Sequence, residues 1–133
     1  MNIEYPRVPM LRPSPAYSAV AVIPPGGSLV VVGGQNAVDA QGEIVGAGDL
    51  AQQARQVRAN VEAALAAAGC SFDQVFRVTV WLKAGGDART AYEPFAPALA
   101  HRAAPPVVAA YFVSALARPE FLIEVGVEAV RWG

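Results

Sequence analysis

The stretch GDLAQQARQVRANVEAALAAAGCSFDQVFRVTVWL, residues 48–82, is the most informative part of the chain because its pattern predicts one helix followed by one buried strand. Asp49 is the predicted N-cap, with Gln52 completing a capping-box pattern, and Gly69 is the predicted residue after the C-cap. Between them, apolar side chains recur every three or four residues and form one stripe along the helix. The stripe consists of Leu50, Ala54, Val57, Val61, Leu65 and Ala68.

From residue 75 to residue 82 the pattern changes to strict alternation, which is typical of a strand. One face is predicted to carry Phe76, Val78, Val80 and Leu82, and the other Val75, Arg77, Thr79 and Trp81. A helix with one apolar stripe that leads directly into a strand is expected to lie on a sheet.

The rest of the chain is predicted to supply that sheet. Two strands, at residues 17–23 and 28–32, are expected to form a hairpin around the turn Pro-Pro-Gly-Gly. The other predicted elements are a helix over residues 90–101 with Thr90 as its N-cap, and strands over 107–113 and 121–130. The order β-β-α-β-α-β-β predicts an α+β fold with two helices on one face of the sheet. The 133 residues form a single predicted domain, and the Pro-rich residues 1–16 are expected to be irregular.

Composition narrows the class of protein. Apolar residues make up 54% and charged residues only 16%, so we expect apolar surface to be buried between subunits. A net charge of -1 predicts no nucleic-acid partner, and no apolar run is long enough to predict a membrane span. A lone Cys70, and an N-terminus without the apolar region of a signal peptide, favour the cytoplasm.

Several short motifs resemble those of the reactive intermediate deaminase family (Rid, also called YjgF-like), from about Tyr17 to Val130. They are a Tyr before the first predicted strand, Gly-Gly-Gln, Gln-Ala-Arg-Gln…Asn-Val, Ala-Gly, Val-Thr-Val-Trp-Leu, Ala-Tyr-Glu-Pro-Phe and a closing Ile-Glu-Val. The resemblance implies a chorismate-mutase-like fold and a homotrimeric barrel with three small-molecule clefts between subunits. It also implies chemistry like that of the family's archetype, which hydrolyses enamines and imines such as 2-aminoacrylate derivatives.

The resemblance carries over to some residues of the cleft and not to others. The archetype's Tyr corresponds to Tyr17 and its Glu to Glu124, while its Ser-Gly-Gln becomes Gly33, Gly34 and Gln35, without the hydroxyl. The Arg that holds the substrate carboxylate in the archetype falls on Val108, and residues 103–117 contain no Arg. Because Val cannot replace a bidentate guanidinium, either the carboxylate is held elsewhere or the ligand has none.

Each candidate has an alternative interpretation. Arg89, on which the archetype's Asn falls, and Arg102 and Arg118 are possible substitutes for the lost Arg, or else solvated surface charges. Glu124, in a mostly apolar strand, is the candidate acid/base group, or else a solvated carboxylate.

The remaining candidates are also open to two interpretations. Tyr17 is predicted to orient a ligand, or is an amphipathic aromatic at the sheet edge. Gly33 and Gly34 offer backbone N–H groups to a ligand, or mark a bulge. His101 is the only His, so no metal site is predicted, and no cofactor is expected.

Two functions of different classes follow. The first is a Rid-like imine or enamine hydrolase, or a relative acting on another small unsaturated substrate, with Glu124 activating water. The second is a small-molecule-binding trimer that has lost deaminase activity, as Val108 in place of Arg suggests.

Overall fold

The structure is a computed structural model that describes residues 2–99 and 102–133 of the chain. Its described strands form one four-stranded sheet in the order β1-β4-β2-β3. The strands are β1 (Gly27–Gln35), β2 (Val75–Lys83), β3 (Val107–Val113) and β4 (Ile123–Trp132). The helices are α1 (Leu50–Ala67), α2 (Ala88–Tyr92) and α3 (Ala96–Leu99), with a short 3₁₀ turn at Phe72–Gln74. The predicted α+β class is confirmed.

Helix α1 begins and ends where its sequence predicts. The Asp49 carboxylate accepts a hydrogen bond from the Gln52 backbone N–H at 3.1 Å. In a full capping box the Asp49 N–H would donate to the Gln52 side chain. Here the Asp49 N–H donates to the Gly46 carbonyl instead. At the other end Gly69 has a φ of 75°, and Cys70 N–H donates to the Leu65 carbonyl at 2.8 Å, which is a Schellman ending.

Strand β4 lies inside the sheet and pairs antiparallel with both β1 and β2, while β2 pairs parallel with β3. The register shifts in β2 between Val75, which pairs with Ala129, and Arg77, which pairs with Glu128. This bulge places Val75 on the buried face, so the predicted face assignment of Val75 is wrong. From Val78 onward the predicted alternation of β2 is confirmed.

The core lies between α1 and one face of the sheet. Val57, Val61 and Leu65 of α1 are fully buried there with Ile123 and Val125 of β4. The predicted apolar stripe is therefore confirmed over most of its length. The opposite face of the sheet, called the open face below, has no layer packed on it within the described chain.

A buried polar residue on α1 was not predicted. Gln53 is 0% exposed, and its amide nitrogen donates to the carbonyls of Gly46 and Glu120 at 3.1 and 2.8 Å. Its amide oxygen accepts from Leu122 N–H at 2.9 Å. Gln53 therefore ties the helix to the loop that leads into β4, so its burial is compensated by three hydrogen bonds.

Two predicted elements are wrong. Residues 17–23 form no strand: Val22 makes only an isolated antiparallel bridge with Glu4, and Ser18 N–H bonds to the Pro106 carbonyl. The predicted helix over residues 90–101 begins earlier, at N-cap Asp87, and is divided into α2 and α3. Pro94 and Pro97 explain the division, since proline lacks the N–H that a helix interior needs. The predicted end of this helix at His101 lies outside the described residues.

Candidate functional site

Glu124 lies on the open face, at the start of β4, and is half-buried. Asn36 Nδ2 donates to Glu124 Oε1 and to the Ile123 carbonyl, both at 3.3 Å. Gly34 lies under the carboxylate, and a Cβ at that position would collide with it. Glycine at position 34 is therefore what allows the Glu124 carboxylate to lie across β1.

A chain of hydrogen bonds connects this carboxylate to α1. Asn60 Nδ2 donates to the carbonyls of Asn36 and Val38 at 3.0 and 2.9 Å, and Gln56 Nε2 donates to Asn60 Oδ1 at 2.9 Å. These bonds hold the loop that follows β1, and Asn36 in that loop holds Glu124. The sequence pattern marked Asn60, which lies within the predicted helix, only as part of a family motif. It did not mark Asn36, which follows the first strand.

The two glycines before Gln35 differ in their surroundings. No heavy atom lies within 4 Å of the position that a Cβ on Gly33 would occupy. Gln35 Nε2 donates to the Gly33 carbonyl at 3.0 Å. A residue with a hydroxyl side chain would therefore fit at position 33, whereas position 34 requires glycine as long as Glu124 keeps its place.

The three predicted substitute arginines lie in different places. Arg118 pairs with Glu120 at 3.7 Å and lies over the Phe121 ring. Arg102 donates to the Tyr5 hydroxyl at 2.8 Å and to the Phe72 carbonyl at 3.4 Å. Arg89 is exposed in α2. Arg118 and Arg102 thus already have partners, and the structure does not bring the three together.

Val108 lines an apolar cavity of about 190 Å³ between α2 and strands β2 and β3. Ala110, Phe95 and Tyr92 are among its other walls, and Tyr92 carries the only polar side chain of the lining. Burial raises the pKa of Tyr92 above its usual value of 10.0, an effect that the positive charge of Arg102 partly opposes. The cavity therefore suits an uncharged, apolar group.

Val108 and Glu124 lie on opposite faces of the sheet. Val108 pairs with Val78, and Glu124 pairs with Trp81, three residues further along β2. Residues three apart in a strand point to opposite faces. One chain therefore does not place the Glu124 carboxylate in the cavity that Val108 lines.

Tyr17 lies away from Glu124 as well. Its neighbour Ser18 is bonded to Pro105 and Pro106, just before β3 begins, whereas Glu124 lies level with the other end of that strand. The Tyr17 side chain is 50% exposed and lines a pocket formed by residues 5–19. Apart from the arginines described above, the predicted site residues therefore fall into three places. Glu124, Gly33, Gly34 and Gln35 lie together, Val108 lies in the apolar cavity, and Tyr17 lies in the N-terminal segment.

The described residues also bear on metal binding and on membrane insertion. No group of three or more His, Cys, Asp or Glu side chains among them could hold a metal ion. In residues 2–99 and 102–133, no helix has both the length and the apolar content to cross a membrane.

Known proteins resemble the chain in sequence and in structure. It is 47% identical over 58 residues to the RutC family protein PH0854 of Pyrococcus horikoshii, and that match covers 43% of this chain and 45% of that protein. The fold is similar to the Rid family protein YyfB of Yersinia pestis, with a TM-score of 0.81, 30% identity, and coverage of 97% and 98% of the two chains. It is also similar to E. coli TdcF with bound serine, with a TM-score of 0.68, 29% identity, and coverage of 88% and 94%.

The model of the endoribonuclease L-PSP family matches residues 10–131, which is most of the chain. The Rid protein from Yersinia pestis is similar over nearly the whole of both chains. The chain therefore belongs to the endoribonuclease L-PSP family, the Rid or YjgF family that its motifs resemble.

Proposed function

We propose that the protein hydrolyses small enamines or imines in clefts formed between copies of the chain, assembled as a homotrimer. The observation that carries the proposal is the Glu124 carboxylate, held over Gly34 by Asn36 on an uncovered face of the sheet. Arg77 on the neighbouring strand β2 pairs with Glu128, at 3.9 Å. Glu124 is thus positioned by the hydrogen bond from Asn36 and forms no salt bridge within the described chain.

The chemistry needs one general base and one water molecule. Glu124 takes a proton from water as the water oxygen attacks the carbon of the C=N bond. Glu124 returns this proton to the nitrogen, which gives a carbinolamine. Glu124 then takes the hydroxyl proton and passes it to the nitrogen as the C–N bond breaks, which releases a carbonyl compound and ammonia. An enamine enters this sequence after tautomerising to its imine.

The opposite placement of Glu124 and Val108 supports a cleft between copies. A ligand can touch both residues only if one copy supplies the open face and a second supplies the cavity beside α2. Leu29 and Val31, 64% and 63% exposed on the open face, are apolar surface that such an assembly would cover. Tyr17, predicted to orient the ligand, would also have to reach the cleft from a copy other than the one that supplies Glu124.

The walls of the cavity suggest the class of substrate. Val108 and Ala110 offer no cation to a carboxylate, and Tyr92 offers only a hydroxyl. Leaving a carboxylate without a partner in such a place costs several kcal/mol. We therefore propose an imine whose substituent on the reacting carbon is apolar or aromatic.

The test compares two substrates and two variants, with loss of ultraviolet absorbance as the measurement. Acetophenone imine should be hydrolysed by the wild type above its uncatalysed rate, whereas 2-iminopropanoate should stay near background. Val108→Arg should reverse this preference, because the guanidinium holds the carboxylate of 2-iminopropanoate and fills the apolar cavity. Glu124→Gln should abolish turnover while the mass by light scattering stays that of a trimer. Fast turnover of 2-iminopropanoate by the wild type would contradict the proposed substrate class.

A second candidate is a non-catalytic trimer that binds a small molecule in the same clefts. The apolar cavity favours it, since a cavity lined by apolar side chains binds apolar ligands without any chemistry. TdcF has been seen with bound serine, which supports a family cleft that holds small molecules. Binding of acetophenone without turnover of its imine would favour this second candidate. In either case the lone Cys70 supports a reducing, cytoplasmic location.

A further inference from the structure

The N-terminal segment encloses a pocket of its own, which lies apart from both Glu124 and Val108. The pocket has a volume of about 220 Å³, and all the residues that line it lie between Tyr5 and Ala19. Two of them, Arg7 and Arg12, are cationic, and residues 5–19 include no Asp or Glu. A small pocket with two positive charges and no negative one is suited to an anion.

Neither guanidinium has a partner within the described part of the chain. Arg7 and Arg12 form no salt bridge there, unlike Arg58, Arg77 and Arg118, which each lie within 4.0 Å of a Glu carboxylate. The pocket also contains hydroxyl groups at Ser14 and Tyr17. These groups can donate hydrogen bonds to the same anion as the two arginines.

The segment is held in place at both of its ends. The backbones of Glu4 and Val22 bond to each other at 3.0 and 2.8 Å, and the Tyr5 hydroxyl accepts from Arg102. On the other side, the Ser18 hydroxyl donates to the Pro105 carbonyl at 2.6 Å. The loop between these anchors is short and closed, like the compact surface loops that often carry function.

Prolines stiffen the loop and shape its walls. Residues 5–19 include Pro6, Pro9, Pro13 and Pro15, whose fixed φ angles reduce the entropy lost when a ligand binds. Val8 and Leu11 line the pocket beside the arginines. The walls therefore combine cationic groups with apolar ones.

We propose that this pocket binds a small organic anion, a carboxylate on an apolar or aromatic body, with Arg7 and Arg12 gripping the carboxylate. A guanidinium fork pairs with both carboxylate oxygens, and the prolines, Val8 and Leu11 contact the body. Tyr17 donates its hydroxyl to the same carboxylate. The site shares Tyr17 with the proposed hydrolytic cleft, whereas Arg7 and Arg12 belong to this site alone, so anion binding here requires neither Glu124 nor Val108.

The test uses benzoate as the probe and backbone amide chemical shifts of the full chain as the measurement. Benzoate should shift the amides of residues 5–19, and benzyl alcohol, which has the same ring without the charge, should not. Arg12→Ala and Arg7→Ala should each weaken benzoate binding about tenfold, as expected for loss of one charged hydrogen-bonded contact. Tyr17→Phe should weaken it less, and a rise in salt should weaken it in the wild type.

Arg55→Ala is the matched control, since Arg55 is an exposed arginine on α1 outside the pocket. It should leave benzoate binding unchanged, and thermal unfolding of all the variants should show that they remain folded. Inorganic phosphate in place of benzoate should shift the same amides less, because it has no apolar body. Equal binding of benzoate by wild type and by Arg7→Ala/Arg12→Ala, or shifts confined to residues outside 5–19, would overturn the proposal.

Discussion

The two faces of the sheet use the same strands in opposite ways. On the helix-facing side, Ile123, Val125 and Val127 are at most 2% exposed. On the open face, the intervening Glu124 and Glu128 stay accessible, next to exposed Leu29 and Val31 of β1. Helix α1 of the same chain covers the helix-facing side. The open face combines apolar side chains with charged ones, and no part of the described chain covers it. Folding thus depends on one set of alternate residues in these strands, and the proposed function depends on the other set.

Removing one leucine from the core and one from the open face should have the largest and most different effects on stability. Leu65→Ala should lower the free energy of unfolding by about 2–5 kcal/mol, because Leu65 is fully buried and leaves a cavity. Leu29→Ala should lower the free energy of unfolding by an amount that grows with protein concentration, because the proposed assembly would bury Leu29. Urea unfolding at two protein concentrations separates the two effects. Equal, concentration-independent losses would show that no copy covers the open face.

The second prediction concerns the buried amide on the helix-facing side. Gln53→Leu should lower the free energy of unfolding by about 1–3 kcal/mol, because Leu122 N–H and two carbonyls lose their partner. Gln52→Leu is the control, since Gln52 is exposed on the same helix, and it should change the free energy by less than about 0.5 kcal/mol. Chemical denaturation of both variants measures the difference. Similar values for the two would mean that the three hydrogen bonds of Gln53 contribute little.

The third prediction tests the open face through its glycines. Gly34→Ala should displace the Glu124 carboxylate and lower turnover of acetophenone imine about tenfold or more, since small misplacements of a catalytic group are costly. Gly33→Ser should fold normally and change turnover little, because open space surrounds that position. Steady-state rates and thermal unfolding of the pair are the measurements. Equal rates for Gly34→Ala and wild type would show that turnover does not depend on the position of the Glu124 carboxylate.

The smallest expected effect is a pH dependence at Tyr92. Burial raises the pKa of Tyr92 in the folded chain above the value of 10.0. The folded state therefore keeps the proton longer than the unfolded state does. The stabilisation is complete below about pH 10 and is lost as the pH rises through the folded-state pKa. In Tyr92→Phe, the midpoint of thermal unfolding should fall less between pH 9 and 11 than it does in the wild type. The same fall in both proteins would contradict the prediction.

Local patterns predicted the parts of the fold that depend on neighbouring residues in the sequence. The ends of α1 were predicted from Asp49 and Gly69, since both act through bonds within a few residues. Residues 17–23 misled the prediction because they have the composition of a strand but bond to Glu4 and Pro106 instead of to β1. A strand needs a partner, and composition does not identify it.

The parts of the site that escaped prediction depend on register and on distant residues. Val108 and Glu124 were predicted to share a cleft, but their faces are known only once β2 is paired with both β3 and β4. Gln53 bonds to residues 67 and 69 positions away, and Asn36 bonds to Glu124 across 88 positions. The pocket around Arg7 and Arg12 was not predicted, because it forms only when the Pro-rich segment is anchored at both ends.

Complementation between two inactive variants tests whether each site is shared between copies of the chain. Glu124→Gln lacks the base, and Val108→Arg fills the cavity, so neither should hydrolyse acetophenone imine alone. If each cleft takes Glu124 from one copy and Val108 from another, an equal mixture of refolded chains should recover about a quarter of the wild-type rate. A mixture as inactive as its two components would contradict a site shared between copies of the chain.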